Sequence, residues 1–318
     1  MPGMHVPVLL EDVMSVLQPR DDAIYVDGTF GGGGYSEALL SRANCKVFGI
    51  DRDREAIRRG RELEQRFRGR LTLIHGKFSQ MNALLNGQGV SAADGVALDV
   101  GVSSFQLEDA SRGFSFSSDA PLDMRMDQTA GQTAADLCNT LPEHNLAGLL
   151  RRLGEEPRAT RIARAIVAAR PITTARELAT LIERVAPRHG QKIHPATRTF
   201  QALRIAVNDE LTELERGLEA AGQVLRADGR LAVVSFHSLE DRIVKRFFGA
   251  QSGHVPHRSR HLPEQVTKPA LFRSLGKGPI VASADETRRN PRARSAKLRA
   301  GIRTSVPASG PVQTGDEI

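Results

Sequence analysis

The chain has 318 residues, of which 40% are hydrophobic and 25% are charged, a composition typical of soluble globular proteins. It contains no apolar run of about eighteen residues, so no membrane-spanning helix is predicted. The N-terminus has no basic residues before its short apolar stretch, and we expect no secretory signal. The two cysteines, Cys45 and Cys138, lie far apart without metal or redox spacing, which favours a reducing, cytoplasmic location.

The net charge of the chain is strongly positive, at +7, and the sequence pI is about 9.9. Such a charge is typical of proteins that bind a polyanion, although a basic surface without any partner is the alternative. The excess is local, because residues 240–303 hold fifteen Lys or Arg against five Asp or Glu. This distribution favours a binding segment in the last quarter of the chain.

Strands and helices are predicted to alternate through the first hundred residues. Continuous apolar runs predict strands at 23–27, 46–51, 71–75 and 95–99, and helical patterns occupy 36–42 and 54–67. Continuous rather than alternating apolar runs are typical of parallel strands that are covered on both faces. The order therefore predicts an α/β fold with a parallel sheet.

The long interval between the fourth and fifth predicted strands indicates an inserted helical domain. The fifth strand, at 230–236, follows a turn signal at 227–229, and helical patterns fill the interval before it. These patterns cover 143–153, 159–170, 174–185 and 196–222, and Thr173 or Thr174 has Glu177 near capping-box spacing. A helix at 239–248 and a strand at 297–303 follow. We expect an α/β domain at 5–108 and 216–303, a helical insert at 109–215 and a disordered tail at 304–318.

A glycine-rich turn, with five glycines within residues 28–34, joins the first strand to the first helix. Three ligands compete for such a turn. A phosphate loop needs Gly-Lys-Ser/Thr, which is absent, and a dinucleotide fingerprint needs Gly or Ala where Ser36 stands. S-adenosylmethionine suits the turn better, since Asp27 faces its cationic part and backbone N–H groups face its carboxylate.

Acidic residues end three of the predicted strands, on the edge where ligands of open α/β sheets bind. Asp27 ends the first strand, Asp51 the second and Asp99 the fourth. Asp51 is placed to accept hydrogen bonds from ribose hydroxyls, which fits NAD equally well, and Phe78 is placed to cover an adenine ring. The alternative is that Asp simply favours turns at strand ends.

Seven long motifs lie along the chain. They are HVPVLL at 5–10, DGTFGGGGYS at 27–36, DVGVSSFQL at 99–107, RGFSFSSDAPLDMRMD at 112–127, HPATRTFQALRIAVNDEL at 194–211, SFHSLEDRIVKRFF at 235–248 and NPRARSAKLR at 290–299. In sequence and in order, these motifs resemble those of one family, the bacterial small-subunit ribosomal RNA cytosine-N4 methyltransferases. The resemblance covers about residues 5–303.

The resemblance implies a class I S-adenosylmethionine-dependent methyltransferase with a Rossmann-like sheet and an inserted all-helical domain. It implies methylation of the exocyclic N4 of one cytidine in the decoding region of small-subunit ribosomal RNA. The partner is then this RNA within a ribosomal subunit or its precursor, with no membrane and no metal. Carried over motif by motif, the implied cofactor contacts are Gly33, Gly34, Tyr35, Asp51, Phe78, Asp99 and Gln106.

Three positions, in two of the motifs, depart from the family's pattern. Gly32 and Tyr35 stand where the family usually has Arg and His, and Phe105 stands where Pro is common. The departure at Tyr35 concerns the methionine end of the cofactor, and that at Phe105 concerns the stiffness of its loop. Neither removes a charged ligand group.

Asp99 and the serines that follow it are the candidates for catalysis. Cytosine N4 is a weak nucleophile, so we expect Asp99, with Ser103 or Ser104, to hold the amine in line with the cofactor. The alternative is that Asp99 binds only the cofactor and that the serines cap local turns. Methylation at C5 would need a thiolate instead. Neither cysteine has the context for that, so both are predicted to be structural.

Candidate RNA contacts lie on the helix predicted from residue 196 and after the fifth strand. Arg198, Gln201, Arg204 and Asn208 share one helical face, which contacts RNA or is simply solvated. His237 follows the fifth strand, and either binds the substrate or is a buried, satisfied histidine.

Two further groups of side chains have competing interpretations. Phe114 and Phe116 either stack on the flipped base or form a small core under their loop. Three histidines in the basic segment lack a fourth ligand, so no metal site is predicted there. They are His254, His257 and His261.

Two alternative classes of protein share some of these features. An NAD-dependent oxidoreductase would share Asp51 and the glycine turn, but Ser36 and the lack of a second nucleotide-binding half disfavour it. An RNA-binding assembly factor would share the basic segment but would not need the acids at the strand ends.

Overall fold

The structure is a computed structural model that describes residues 7–116, 119–187, 194–252 and 269–307. The chain divides into two compact units, one of Met1–Asp51, Glu55–Val100 and Glu213–Ile318, the other of Arg52–Arg54 and Gly101–Thr212. The borders of the helical insert, which the sequence predicts at residues 109 and 215, stay a prediction. Within the described ranges, no helix is long and apolar enough to cross a membrane.

The first unit is built on one mostly parallel sheet. The strand order is β3-β2-β1-β4-β5-β8-β6, and β7 pairs with β8 beside this path. The first five strands in this order run parallel, whereas β8 pairs antiparallel with β5, β6 and β7. The strands are β1 Ile24–Asp27, β2 Lys46–Asp51, β3 Leu71–His75, β4 Ala93–Asp99, β5 Leu225–Ser235, β6 Phe272–Ser274, β7 Ile280–Val281 and β8 Lys297–Arg303.

The central strands are almost completely buried, as continuous apolar runs predict. Val26, Val96 and Val233 have no exposed surface. Apolar side chains of α1 pack in one core with strand residues such as Tyr25 and Val47. The helices of this unit are α1 Leu10–Leu17, α2 Gly34–Arg42, α3 Arg54–Arg66, α4 Met81–Asn86, α11 Glu210–Val224, α12 Ser238–Gln251 and α13 Ala284–Arg289, with the border between units crossing the first residues of α3 and α11.

The second unit is helical within the residues described, apart from one isolated bridge between Pro121 and Thr174. Its own core gathers apolar side chains such as Leu150, Ile162 and Leu203, all fully buried. Thr174 caps α9 in a capping box with Glu177, as its spacing predicts. The helices are α5 Ser104–Glu108, α6 Ala134–Thr140, α7 Glu143–Gly154, α8 Ala159–Ala168, α9 Ala175–Val185 and α10 Thr197–Asn208.

The predicted continuous helix at 196–222 is wrong. It is two helices, α10 and α11, because Asp209 between them adopts the left-handed conformation with φ of 49°. Aspartate tolerates this conformation better than most residues, but the apolar pattern continues through it, so periodicity alone does not reveal the break.

The turn signal at 227–229 lies inside the fifth strand rather than before it. β5 begins at Leu225, which pairs with Ala93, and the next pair joins Arg230 to Gly95. The residues between loop out of register, with Asp228 at a φ of 62°. The turn that the local chemistry predicts is therefore present, but the pairing across the sheet extends the strand past it.

Short elements escaped sequence prediction, and so did α1. Helices of five to seven residues, such as α5 and α13, contain too few turns for a periodic signal. β6 and β7 have three and two residues and depend on pairing with β8. Of the predicted disordered tail, Thr304 donates a backbone hydrogen bond to Leu271 at 2.9 Å, while 308–318 lie outside the described residues.

Gly113 packs too tightly in the second unit to accept a side chain. Its φ is 70°, and an added Cβ would lie 2.2 Å from the carbonyl oxygen of Pro121. We expect Gly113→Ala to lower the free energy of unfolding by about 1–3 kcal/mol more than Gly131→Ala does, as overpacking does elsewhere. Gly131 also has a positive φ, 88°, but no described atom within 4 Å of its Cβ position. Urea unfolding measures both variants, and equal losses would show that the backbone conformation alone sets the cost.

Candidate cofactor-binding site

The glycine turn after β1 is hydrogen-bonded to the end of β4. The backbone N–H of Gly28 donates to the carbonyl oxygen of Ala97 at 2.9 Å. The backbone N–H of Asp99 donates to Oγ1 of Thr29 at 2.6 Å. These bonds hold the turn against the strand end where Asp99 stands.

The same turn is also hydrogen-bonded to the end of β2. The N–H of Phe30 donates to the carbonyl oxygen of Ile50 at 2.9 Å. The N–H of Gly31 donates to Oδ2 of Asp51 at 2.7 Å. Asp51 therefore shapes the turn in addition to the ribose contact that the sequence predicts for it.

The close approaches that require glycine come from the chain itself. A Cβ on Gly33 would lie 2.7 Å from the ring of Phe30, and Gly33 caps α2 with a φ of 78°. A Cβ on Gly34 would lie 2.0 Å from Cγ of Pro7. Packing within the chain thus explains why glycine stands at these two positions. The absence of side chains there lets the start of α2 lie close to Phe30 and Pro7.

Asp27 is a buried carboxylate at the beginning of the turn, with 1% of its surface exposed. Its Oδ2 accepts a hydrogen bond from the hydroxyl of Ser36 at 2.7 Å, and its Oδ1 accepts a longer one from the N–H of Thr29 at 3.4 Å. Burial raises the pKa of Asp27 to about 6, despite these bonds. Ser36, which counted against a dinucleotide fingerprint, is the residue that orients this carboxylate.

Asp99, at the end of β4, has a carboxylate oxygen without a partner. Its Oδ1 is buried and accepts no hydrogen bond from the described residues. Burial raises the pKa of Asp99 to about 7, the positive charge of Arg292 lowers it in part, and the negative charges of Asp27 and Glu240 raise it further. The carboxylate is therefore held in an environment that lacks sufficient positive charge.

This donor set fits S-adenosylmethionine. Buried carboxylates are costly unless they are paired, so a cationic ligand beside Asp99 and Asp27 would be stabilised there. The sulfonium and ammonium groups of S-adenosylmethionine supply such charge. The anionic pyrophosphate of NAD would not supply the positive charge that these carboxylates lack.

Tyr35 and Phe78 have well-defined surroundings in the first unit. Tyr35 is buried, and its hydroxyl donates to the carbonyl oxygen of Val8. Burial, with a smaller contribution from the charge of Asp99, raises the pKa of Tyr35 well above its usual value, so the phenol stays neutral. The half-buried Phe78 packs against α11, where a Cβ on Gly217 would lie 2.1 Å from its ring.

His237 caps α12 rather than lying free at the end of β5. Its Nδ1 accepts the N–H of Glu240 at 3.4 Å, and the carboxylate of Glu240 accepts the N–H of Phe236 at 2.8 Å. The side chain of His237 is 12% exposed and Glu240 is completely buried. Sequence reasoning missed Glu240, although His237 and Glu240 have the spacing of a capping box.

Ser103 and Gln106, both in the second unit, form the capping box of α5. Gln106 also donates from Nε2 to Oδ2 of Asp53 at 2.9 Å, and Nη1 of Arg112 lies 3.0 Å from the same oxygen. Both sides of the Gln106 amide are therefore engaged within the protein. Ser103 has the capping role that the sequence left as the alternative to catalysis.

The two candidate RNA-binding arginines of α10 differ in exposure. Arg204 makes a two-bond ion pair with Glu210, with both distances 2.9 Å, and its side chain is 17% exposed. Arg198 is exposed and donates to the carbonyl oxygen of Glu155 at 3.3 Å. Arg198 is thus the more accessible of the two cations.

Burial supports the structural interpretation of both cysteines and of Phe114. Cys45 and Cys138 are free, buried thiols, and burial raises the pKa of Cys138 to about 12. Phe114 belongs to the helical core, and Phe116 stacks on His194 with ring centroids 4.2 Å apart. The three histidines at 254, 257 and 261 lie outside the described residues.

The sheet, its glycine turn and the acids at its strand ends together define a Rossmann-like, S-adenosylmethionine-dependent methyltransferase. A model of the MraW methylase family matches residues 3–303, and the chain belongs to that family. The resemblance predicted from the motifs is confirmed by this match.

Curated relatives match the chain over nearly its whole length. The ribosomal RNA small subunit methyltransferase H of Paramagnetospirillum magneticum is 54% identical over 312 residues, covering 96% of this chain and 98% of that protein. The protein of the same name from Methylorubrum populi is 56% identical over 318 residues, covering 98% and 90%.

Solved structures are more distant. An rRNA methylase from Streptococcus thermophilus is 11% identical with a TM-score of 0.41, covering 95% of this chain and 99% of that one. A methyltransferase from Streptococcus mutans in complex with SAH is 11% identical with a TM-score of 0.43, covering 94% and 99%.

The raised pKa of Asp99 predicts a pH-dependent stability. A carboxyl group whose folded pKa of about 7 exceeds its unfolded value of 3.8 stabilises the protein below the unfolded pKa. That stability is lost as the pH rises through 7, by about 1.4 kcal/mol for each unit between the two pKa values. Asp99→Asn does not titrate, so we expect its stability relative to the unmutated chain to increase from pH 5 to pH 8.

Urea unfolding of the cofactor-free protein at the two pH values measures this difference. The control is Glu219→Gln, which neutralises an exposed carboxylate on α11. Parallel pH profiles for Asp99→Asn and the unmutated chain would contradict the assigned pKa.

Proposed function

We propose that the chain transfers the methyl group of S-adenosylmethionine to the exocyclic N4 amine of a cytidine in the decoding region of small-subunit ribosomal RNA. The RNA substrate class is supported by the names of relatives that are 54% and 56% identical to the chain. The choice of N4 and of the decoding region is supported by the motifs quoted above. The proposal includes a reaction in the cytoplasm, on RNA within a ribosomal subunit or its precursor.

The observation that carries the proposal is the unpartnered, buried Oδ1 of Asp99 at the end of β4. A structural aspartate would normally have its buried oxygens satisfied by hydrogen bonds. A cation beside Asp99 and Asp27 would supply the positive partner that the buried oxygen lacks. A polar amine that donates a hydrogen bond to Oδ1 would satisfy the remaining lone pair.

Different residues of the glycine turn and the strand ends would bind different parts of the cofactor. The N-terminus of α2 at Gly33 and Gly34 would receive the carboxylate of the methionine part. Asp51 would accept hydrogen bonds from the ribose hydroxyls, and Phe78 would cover the adenine. Bound S-adenosylmethionine supplies a methyl group that is already activated on a sulfonium, so the protein mainly positions and desolvates the reactants.

Asp99 orients the amine and receives its proton. Methylation would form one N–C bond while the bond between sulfur and the methyl group breaks, with S-adenosylhomocysteine as the leaving group, and the amine would then have a proton to lose. Burial raises the pKa of Asp99 to about 7, which makes its carboxylate a better proton acceptor than an exposed aspartate. Ser103 and Gln106 stay predictions from their motif, and their hydrogen bonds in α5 would orient the loop that carries them.

The RNA contacts are proposed to come from exposed cations. Arg198 is accessible, whereas the guanidinium of Arg204 is paired with Glu210 and supports the helix. In the basic last quarter, Arg288 and Arg294 are exposed. Arg292 is half-buried and its charge acts on Asp99, so we assign it to the cofactor site rather than to RNA.

The product should carry its methyl group on N4, and both thiols should be dispensable. We expect the double variant Cys45→Ala and Cys138→Ala to keep its turnover, because no covalent step through sulfur is proposed. Nuclease digestion of methylated RNA with mass spectrometry identifies the isomer. A C5-methylated product, or loss of turnover in a folded double variant, would overturn the mechanism. A reaction that transfers a hydride instead of a methyl group would favour the alternative class, an NAD-dependent oxidoreductase.

RNA affinity should depend on salt through the C-terminal arginines. Replacing Arg288, Arg289 and Arg294 with Gln should reduce the slope of log affinity against log salt by up to about 0.7 for each phosphate of single-stranded RNA that is no longer neutralised. Cofactor affinity should not change, since Arg292 is left intact. As a matched control, Arg42→Gln, Arg58→Gln and Arg61→Gln remove three exposed charges from α2 and α3. Equal slopes for both triple variants would move the RNA contacts to Arg198 and its surroundings.

A further inference from the structure

A short N-terminal segment, Pro7–Leu9, packs directly against the glycine turn, and we call it the N-terminal strap. Val8 and Leu9 are 3% and 1% exposed. A Cβ on Gly34 would lie only 2.0 Å from Cγ of Pro7. The strap therefore contacts the first residue of α2, which belongs to the candidate cofactor site.

Two side chains from distant parts of the sequence hold the strap. The hydroxyl of Tyr35 donates to the carbonyl oxygen of Val8. Oε1 of Glu286 accepts the backbone N–H of Leu9 at 2.7 Å, across 277 positions of sequence. Successive residues of the strap are thus bonded to α2 on one side and to α13 on the other.

The backbone of the strap needs these bonds. Leu9 has a φ of 53°, in the left-handed region that is unfavourable for a residue with a side chain. Such a conformation persists when the surrounding contacts determine it. Leu9 is 1% exposed, and its N–H is bonded to Glu286. These contacts with the rest of the protein hold its left-handed backbone conformation.

The segment that anchors the strap also reaches Asp99. The N–H of Asn290 donates to the carbonyl oxygen of Glu286 at 2.7 Å, and Oδ1 of Asn290 accepts the N–H of Arg292 at 3.2 Å. The charge of Arg292 in turn stabilises the ionised form of Asp99. One short stretch therefore supports the strap through Glu286 and supplies positive charge to the acid through Arg292.

We propose that Glu286 and Tyr35 are positioning residues for S-adenosylmethionine, which act through the strap and touch neither the methyl group nor the RNA. By fixing Pro7 against Gly34, they hold the start of α2 in the conformation that receives the cofactor. This role rests on the cofactor binding proposed above and extends it to residues from both ends of the chain. It also gives the motifs at 5–10 and 290–299 a common physical purpose.

The hydroxyl of Tyr35 has a defined task in this arrangement. Because it donates its proton to Val8, it is not available to donate to the cofactor at the same time. Tyr35 stands where the family usually has histidine, and its hydroxyl supports the glycine turn through its bond to the strap.

The first test compares Glu286→Ala with Glu286→Gln. The alanine variant loses the acceptor for Leu9, and we expect the KM for S-adenosylmethionine to rise about tenfold with kcat unchanged, as for loss of a charge-assisted hydrogen bond. The glutamine variant keeps an oxygen acceptor and should stay within about threefold of the unmutated chain. Glu219→Ala, which removes an exposed carboxylate from α11, is the matched control and should leave KM unchanged.

A second variant keeps the proposal testable if Glu286→Ala does not fold. Tyr35→Phe removes the hydroxyl and keeps the ring, and we expect it to raise the same KM by several-fold. When both variants fold, their combined effect should be smaller than the product of the single effects, because both hold one segment. A lower Tm with unchanged KM in the folded variants would overturn the proposal, as it would show a structural role alone.

Calorimetry separates failure of this proposal from failure of the proposed function. If the unmutated chain binds S-adenosylhomocysteine but Glu286→Ala and Tyr35→Phe bind it equally well, the strap does not position the cofactor. If the unmutated chain binds neither S-adenosylmethionine nor S-adenosylhomocysteine, the cofactor assignment itself is wrong and the positioning role falls with it.

Discussion

The candidate site depends on one constraint, the hydrogen bonding of the glycine turn to the ends of β2 and β4, the two strands that flank β1. β2 holds the turn through Ile50 and Asp51, and β4 holds it through Ala97 and Asp99. Because the turn is bonded on both sides, its backbone cannot move without breaking contacts at both strand ends. The acids that a ligand would meet are therefore positioned by the same bonds that close the turn.

The electrostatic character of the site follows from this geometry. Holding Asp99 at a buried strand end leaves one of its oxygens without a partner among the described residues, and Asp27 lies near enough for its charge to act on Asp99. The surroundings raise both pKa values, so the ionised site is strained in the absence of positive charge. A cationic cofactor relieves that strain, which is the physical reason for preferring S-adenosylmethionine to an anionic dinucleotide.

Several residues selected from motifs make most of their contacts within the protein. Tyr35 bonds to Val8, Gln106 caps α5 and bonds to Asp53, and Arg204 pairs with Glu210. A motif marks which residue types stand at which positions, but it does not distinguish a side chain that touches a ligand from one that holds such a side chain in place. In this protein the supporting role is common, and Glu240 has the same role at His237.

The sequence by itself determined the existence of the parallel strands, because continuous apolar runs such as those of β2 and β3, and the turn signals beside them, are local properties of the chain. It also determined the acids at the strand ends, since Asp27, Asp51 and Asp99 are the last residues of their strands. The capping of α9 by Thr174 was determined by spacing alone.

Only the tertiary structure decided which partners these residues have. The contact between Leu9 and Glu286, the effect of Arg292 on Asp99 and the pairing that extends β5 past its turn all join residues that are remote in sequence. Asp209 broke a helix that its apolar pattern predicted to be continuous. Periodicity reports the local conformation and the buried face of a segment, whereas hydrogen-bond partners and pKa values depend on which groups folding brings within a few ångströms of one another.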